Sequence, residues 1–181
     1  MNLRTFLPPP ATPTASPPAV GAAAPDLPEG APHGRPIVLA FLRHTGCPFA
    51  EWTARELRKA AEAHEDVAWV AISHAPPDAT AAWAQAVGGL GTVVLLSDPE
   101  RASYAAWGLG RSSLGHFAGR RSLAQVARLA RTGVRNRHPH GTRWQQAGTF
   151  GVDAEGTLRW RHLPAHAGDL PDLAAAAARV R

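Results

Sequence analysis

Three short, unbroken apolar runs, separated by stretches with helical spacing, constrain this chain more than any other feature. The runs are PIVLAFLR from Pro36, DVAWVAIS from Asp66 and TVVLLS from Thr92. Each is short, continuous and bounded by turn residues, so each reads as a strand covered on both faces. Between them lie CPFAEWTARELRKAAEAH and DATAAWAQAVGG, which read as helices. The first has Pro48 in its opening turn, where a missing N–H costs nothing, and Glu51 near the positive end of the dipole. The second is stopped by Gly88 and Gly89.

Further along, Asp98 and Pro99 are expected as the cap and first residue of a helix carrying Tyr104 to Trp107. SLAQVARLAR is expected as a short helix with Leu123, Val126, Ala127 and Ala130 on its apolar side. GTFGVD, a turn at Glu155 and Gly156, and TLRWRHL read as a β-hairpin. A last helix is expected over Asp169 to Val180, capped by Asp169 with Pro171 nearby. The order β-α-β-α-β-α-α-β-β-α predicts an α/β fold with helices on both faces of a mixed central sheet of about five strands. The sheet is expected to be parallel at first and to end in the hairpin and C-terminal helix. Trp69 falls in a strand and Trp52, Trp83 and Trp107 fall on helices, all at positions that suit a core.

Residues 1–35 are of another kind. PPPATPTASPP offers no periodic apolar face, so this segment is expected as a disordered or extended tail, leaving 36–181 as one domain. The early prolines interrupt both a signal-peptide core and an amphipathic targeting helix. No run approaches the roughly 18 to 20 apolar residues of a membrane span, so no membrane partner and a cytoplasmic protein are expected. With 45% hydrophobic residues the chain can bury a core.

The 181 residues contain one cysteine, Cys47, which excludes an internal disulfide and a cysteine-rich metal site. It follows the carboxyl end of the first strand through the loop HTG and opens the first helix, where ligand sites of α/β sheets lie. Unpaired helix N–H groups there can stabilise a thiolate, and Pro48 fixes the turn beneath it. A small buried hydrophobe is the alternative reading.

The net charge is +5 and almost wholly arginine, Lys59 being the sole lysine. A GC-rich coding bias explains such a composition, as does an anionic partner. RTGVRNRHPHGTRW is the densest basic segment, with Arg131, Arg135, Arg137 and Arg143 close to Trp144. It suits a solvated loop, an anionic thiol partner or, less well, a nucleic acid. His138 and His140 lack nearby acids, so no metal site is expected. His74 closes the second strand near Cys47, while His162 and His166 read as surface residues.

The strand, GCPF, the helix and the late GTFGVDAEGTLRW resemble the thioredoxin-like superfamily, and in particular AhpC/TSA-type peroxiredoxin-like proteins, over roughly Pro36 to Arg181. FLRHTGCPFAEW, AISH, YAAWGLG, RWQQAGTF and HAGD carry the same resemblance. It implies a Cys47 thiolate attacking a peroxide or disulfide substrate, an external thiol reductant (glutathione or a thioredoxin-like protein), no cofactor and compatibility with a homodimer. Ala50 stands where a CxxC pair would have its second cysteine, so the cycle would use one cysteine and sulfenic acid chemistry.

Other positions depart from the family pattern. The proline and threonine that usually precede the peroxidatic cysteine are replaced by Ala40 and His44, with Thr45 one residue late. Ala147 and Gly148 occupy the place of the usual peroxide-binding arginine. As substitutes, His44 is expected as base or donor, Thr45 as a hydroxyl on the sulfur or peroxide, and Arg143 as the cation swinging toward the sulfur. Pro48, Phe49, Trp52, Gln146 and Gly148 are the expected substrate-binding residues, Gln145 sharing the loop of Gln146. A thioredoxin-fold binding module without turnover is the alternative function.

Overall fold

The computed structural model describes residues 13–113, 115–116, 119–134 and 137–181. In chain order the elements are β1 (Ile37–Phe41), α1 (Pro48–Ala63), β2 (Ala68–Ser73), α2 (Pro77–Ala86), β3 (Val94–Ser97), α3 (Ala102–Ala106), α4 (Arg120–Ala130), β4 (Gly148–Val152), β5 (Leu158–His162) and α5 (Leu173–Val180). They build one five-stranded sheet in the order β3-β2-β1-β4-β5. β1, β2 and β3 run parallel, while β4 lies antiparallel to β1 and β5 antiparallel to β4. This is the mixed sheet expected from the alternation of apolar runs and helical segments.

The period of a strand explains why the apolar runs are continuous. Val38, Ala40 and Leu42 enter one core cluster, with α1 and α5, whereas Ile37, Leu39 and Phe41 enter another, with Tyr104 and Trp107. Trp69 and Ala71 of β2 join the first cluster, and Val70 and Ile72 the second. α1 turns Ala50, Ala54, Leu57 and Ala61 inward, a helical spacing, and packs against β2, α4 and α5. On the opposite face Phe41, Phe150, Trp107 and Tyr104 form an aromatic group, with Trp107 and Phe150 ring centres 4.8 Å apart.

Several boundaries differ from expectation. Asp98 does cap α3, its carboxylate accepting the N–H groups of Ala102 and Ser103, but Pro99 is not the first helical residue. The chain instead turns through Arg101 at a φ of 61° before the helix begins. On α4, Ala127 and Ala130 are exposed, and Ser122 and Leu129 are the buried positions, with Val126 packed at the edge of the core. The side chain of Leu123 lies outside the described residues. α5 is capped by Asp172, which accepts the Ala175 N–H, while Asp169 takes the Ala165 N–H from the preceding turn. Trp69, Trp83 and Trp107 are buried, but Trp52 is only partly covered.

Of the segment expected as a disordered or extended tail, residues 13–35 lie along the domain. They form no helix or strand, yet Gly21 N–H donates to Leu158, Ala24 N–H to Gly156, and Leu158 N–H to Ala22. Ala31 is buried and the Trp107 indole N–H donates to the Asp26 carbonyl. Segment 13–35 thus follows the outer edge of β5 and covers the aromatic face. No helix among the described residues is long and apolar enough to cross a membrane.

Candidate active site

Cys47 stands at the junction of β1 and α1, where the strand register and Pro48 together set its place. It is the residue before the helix, with extended φ and ψ of −78° and 129°, and its carbonyl accepts the Glu51 N–H. Its side chain makes no hydrogen bond to the helix amides, contrary to the expectation that those amides hold the sulfur. The donor directed at the sulfur is Arg43, whose Nη1 lies 3.9 Å from Sγ. Arg43 is buried, and its Nη2 donates to the Arg143 carbonyl at 2.7 Å. Sequence reasoning missed Arg43, because an arginine at a strand end reads as solvated. A signal existed in its spacing four residues before the cysteine.

Cys47 is 2% exposed and belongs to the apolar cluster on the α1 face. A strap formed by residues 137–143 covers its loop. The Arg137 N–H donates to the Gly46 carbonyl, and a Cβ on Gly46 would stand 2.4 Å from the Arg137 carbonyl oxygen. Only glycine allows that approach of two backbones. The strap is further held where His140 Nδ1 meets Thr45 Oγ1 at 3.3 Å and where His74 Nε2 meets the Thr142 carbonyl at 3.1 Å. Arg137 also reaches the buried carboxylate of Glu51 at 3.1 Å, which Arg55 shares at 2.5 Å.

The other expected site residues fall into two groups. His44 is beside Cys47 in sequence and buried, with its Nδ1 unpartnered among the described residues. Burial, then the charges of Arg43 and Arg143, drive its pKa well below the ordinary range, so the imidazole is neutral. His74 is likewise lowered to about 4, chiefly by burial. Phe49 and Gly148 line a narrow cavity with Arg43, Thr53, His116 and Asp169. Pro48 is buried in the first turn of α1. The remaining assignments change. Thr45 directs its hydroxyl to His140, and Arg143 meets Arg43 through its backbone. Gln146 Oε1 accepts the Gly110 N–H, and Gln145 donates to the Leu109 carbonyl, so both fasten the 108–112 loop. Trp52 lies over a shallow groove with Glu56, Lys59 and Asp172.

Arg135 lies outside the described residues. The nucleic-acid reading loses Arg137 to Glu51, and Trp144 stacks under Arg111 at 5.8 Å. His162 lies on β5 with Asp169 3.6 Å away, and His166 is half-buried, so neither is a plain surface residue. Among the described residues no group of three metal-ligating side chains occurs.

A sheet of this order, with a cysteine where β1 passes into α1, defines a thioredoxin-like protein. Its solved likenesses include a peroxiredoxin-like protein from Aquifex aeolicus, at 15% identity and a TM-score of 0.66 over 94% of this chain and 90% of that one. A thiol peroxidase from Chromobacterium violaceum shares 16% identity at a TM-score of 0.60, over 90% and 86% of the two chains. The Plasmodium vivax 2-Cys peroxiredoxin shares 15% at 0.55, over 87% and 91%. The family described as AhpC/TSA antioxidant enzyme matches residues 54–166, and the chain belongs to that family. The matched stretch begins after Cys47. Comparison with curated proteins gives no match.

Proposed function

We propose that this protein is a one-cysteine, thiol-dependent redox protein in which Cys47 reduces a peroxide. The observation that carries the reading is the Arg43 guanidinium, buried and 3.9 Å from the only sulfhydryl sulfur in the chain. A desolvated cation there is placed to stabilise the negative charge that develops on the oxygen departing from the peroxide. In the first step the thiolate attacks one peroxide oxygen. An S–O bond forms, the O–O bond breaks, and the departing oxygen takes a proton to leave as an alcohol or water. The sulfur, oxidised by two electrons, becomes a sulfenic acid. An external thiol then attacks that sulfur, expelling water and forming a mixed disulfide. A second thiol releases Cys47 and carries the disulfide away.

His44, being neutral, is suited to donate or accept a hydrogen bond in these steps and not to act as a cation. Thr45 and Arg143 serve through the strap, holding it over the sulfur. Phe49 and Gly148 shape the cavity that meets Arg43. Because Cys47 is covered, the strap has to lift for either substrate to arrive.

That same cover favours a second reading, a binding module with this fold and no turnover. The two separate on one experiment. Peroxide is added with a sulfenic-acid-trapping diketone, and the adduct is located by mass spectrometry. We expect it on Cys47, absent in Cys47→Ser, and formed roughly a hundred-fold more slowly in Arg43→Gln. With Arg43→Lys as a folding control, the lack of any adduct in the parent protein would leave the binding module standing.

A further inference from the structure

The strap over Cys47 is fastened differently at its two ends. Toward β4 it is packed and bonded at several points. His74 meets the Thr142 carbonyl, Arg43 donates to the Arg143 carbonyl, and the Trp144 carbonyl accepts the Ser112 N–H at 2.6 Å. Gly141 lies flat on the His74 ring, where a Cβ would stand 2.5 Å from Cδ2. The other end is held through Arg137. Its N–H donates to the Gly46 carbonyl, its Nη2 to the Ala86 carbonyl that ends α2, and its Nε to Glu51 Oε2 in the first turn of α1. That one side chain therefore ties the strap to two helices.

Glu51 can release Arg137 without being left as a bare buried charge, which would be costly. The carboxylate side chain is 1% exposed, and its two oxygens are divided: Oε1 takes Arg55 of the same helix, and Oε2 takes Arg137. When Arg137 leaves, Arg55 keeps the carboxylate paired, and the Arg137 side chain, already 32% exposed, passes into water. We infer that Glu51 and Arg137 form a latch, whose ion pair sets how often residues 137–139 lift from Gly46 and so how fast a small molecule reaches Cys47. The inference deepens the proposed thiol chemistry and rests on it only in taking Cys47 as the group to be reached. With the latch closed, the two backbones leave no room for a methyl group. A Cβ on Gly46 would stand 2.4 Å from the Arg137 carbonyl oxygen and 2.7 Å from the Pro139 nitrogen. Opening breaks no hydrogen bond of the sheet, so it is a local event, much less demanding than unfolding the domain.

Two readouts on the full-length protein follow the same opening. One is alkylation of Cys47 by uncharged iodoacetamide, its rate divided by that of an unstructured cysteine peptide. The other is hydrogen exchange of the residue 137 amide, which does not depend on the thiol. In the parent protein both should respond to urea far less steeply than global unfolding does. Glu51→Gln and Arg137→Gln should each raise both rates by about ten-fold, the weight of one charge-assisted hydrogen bond. The double variant should go no further than either single one, and Arg137→Lys should recover most of the protection. Gly46→Ala pushes residues 137–139 away sterically and should raise both rates with the Glu51 carboxylate intact. Arg55→Gln, which leaves Arg137 on that carboxylate, should raise neither. A urea response parallel to global unfolding, additive rises in the double variant, or an equal rise in Arg55→Gln overturns the latch; so does a change below about two-fold in both glutamine variants. None of these touches the redox reading, which stands or falls on the sulfenic-acid trap. Ten-fold rises with no peroxide adduct on Cys47 would sustain the latch and overturn the redox reading instead.

Discussion

Buried histidines set a pH limit at the level of single residues. The folded pKa of His74 is about 4, below the unfolded value near 6.5, and that of His44 moves in the same direction. Between these values the unfolded chain binds the proton and the folded protein does not. Stability is therefore complete above about pH 6.5 and falls as pH drops toward 4, the His74 share amounting to about 3 kcal/mol. Asp66 and Asp153, whose pKa values lie below the usual 3.8, lose their contribution only at lower pH. Urea midpoints measured from pH 7 to 4 should decline, and His74→Gln should flatten the slope; a pH-independent midpoint contradicts the burial of both rings. The sequence placed His74 at the strand end beside Cys47. It did not reveal that the Thr142 carbonyl, 68 residues away, would keep the ring there.

At the level of elements, the shortest helix depends on its cap. α3 has five residues, too few to hold itself by propensity, yet it carries Tyr104, whose hydroxyl reaches the Leu42 and Ile72 carbonyls at 2.7 and 2.8 Å. That hydroxyl ties the carboxyl ends of β1 and β2, next to Arg43. The cap is the Asp98 carboxylate with three backbone N–H contacts, those of Ala102, Ser103 and Tyr104. Asp98→Ala should lower unfolding free energy by about 1 kcal/mol and Asp98→Asn by less, read from denaturant curves. Equal stability of all three proteins would show the cap to be idle. Asp98 was legible as a cap from its place after an apolar run. The left-handed Arg101 was not, since no local pattern distinguishes a helix beginning at Pro99 from one beginning three residues later.

The whole molecule includes a segment that composition had set aside. Residues 13–35 cover the second core cluster with Ala24, Leu27 and Ala31 and bond to the hairpin, so their removal uncovers Trp107 and Leu158. A chain lacking residues 1–35 should lose roughly 3 kcal/mol of stability, seen as a lower melting temperature with brighter hydrophobic-dye binding. An unchanged melting temperature would mean that the segment adds nothing to the core. Taken alone, the sequence determined the sheet and its two covered faces, because strand and helix periods are local and survive without knowledge of partners. It likewise determined that the one thiol opens α1, as Cys47 and Pro48 follow directly on an apolar run. The tertiary structure alone decided that Arg43 turns inward and that residues 137–143 close over the sulfur. Those contacts join groups about a hundred residues apart, and a buried arginine is tolerated only where a distant carbonyl such as that of Arg143 arrives to pair it.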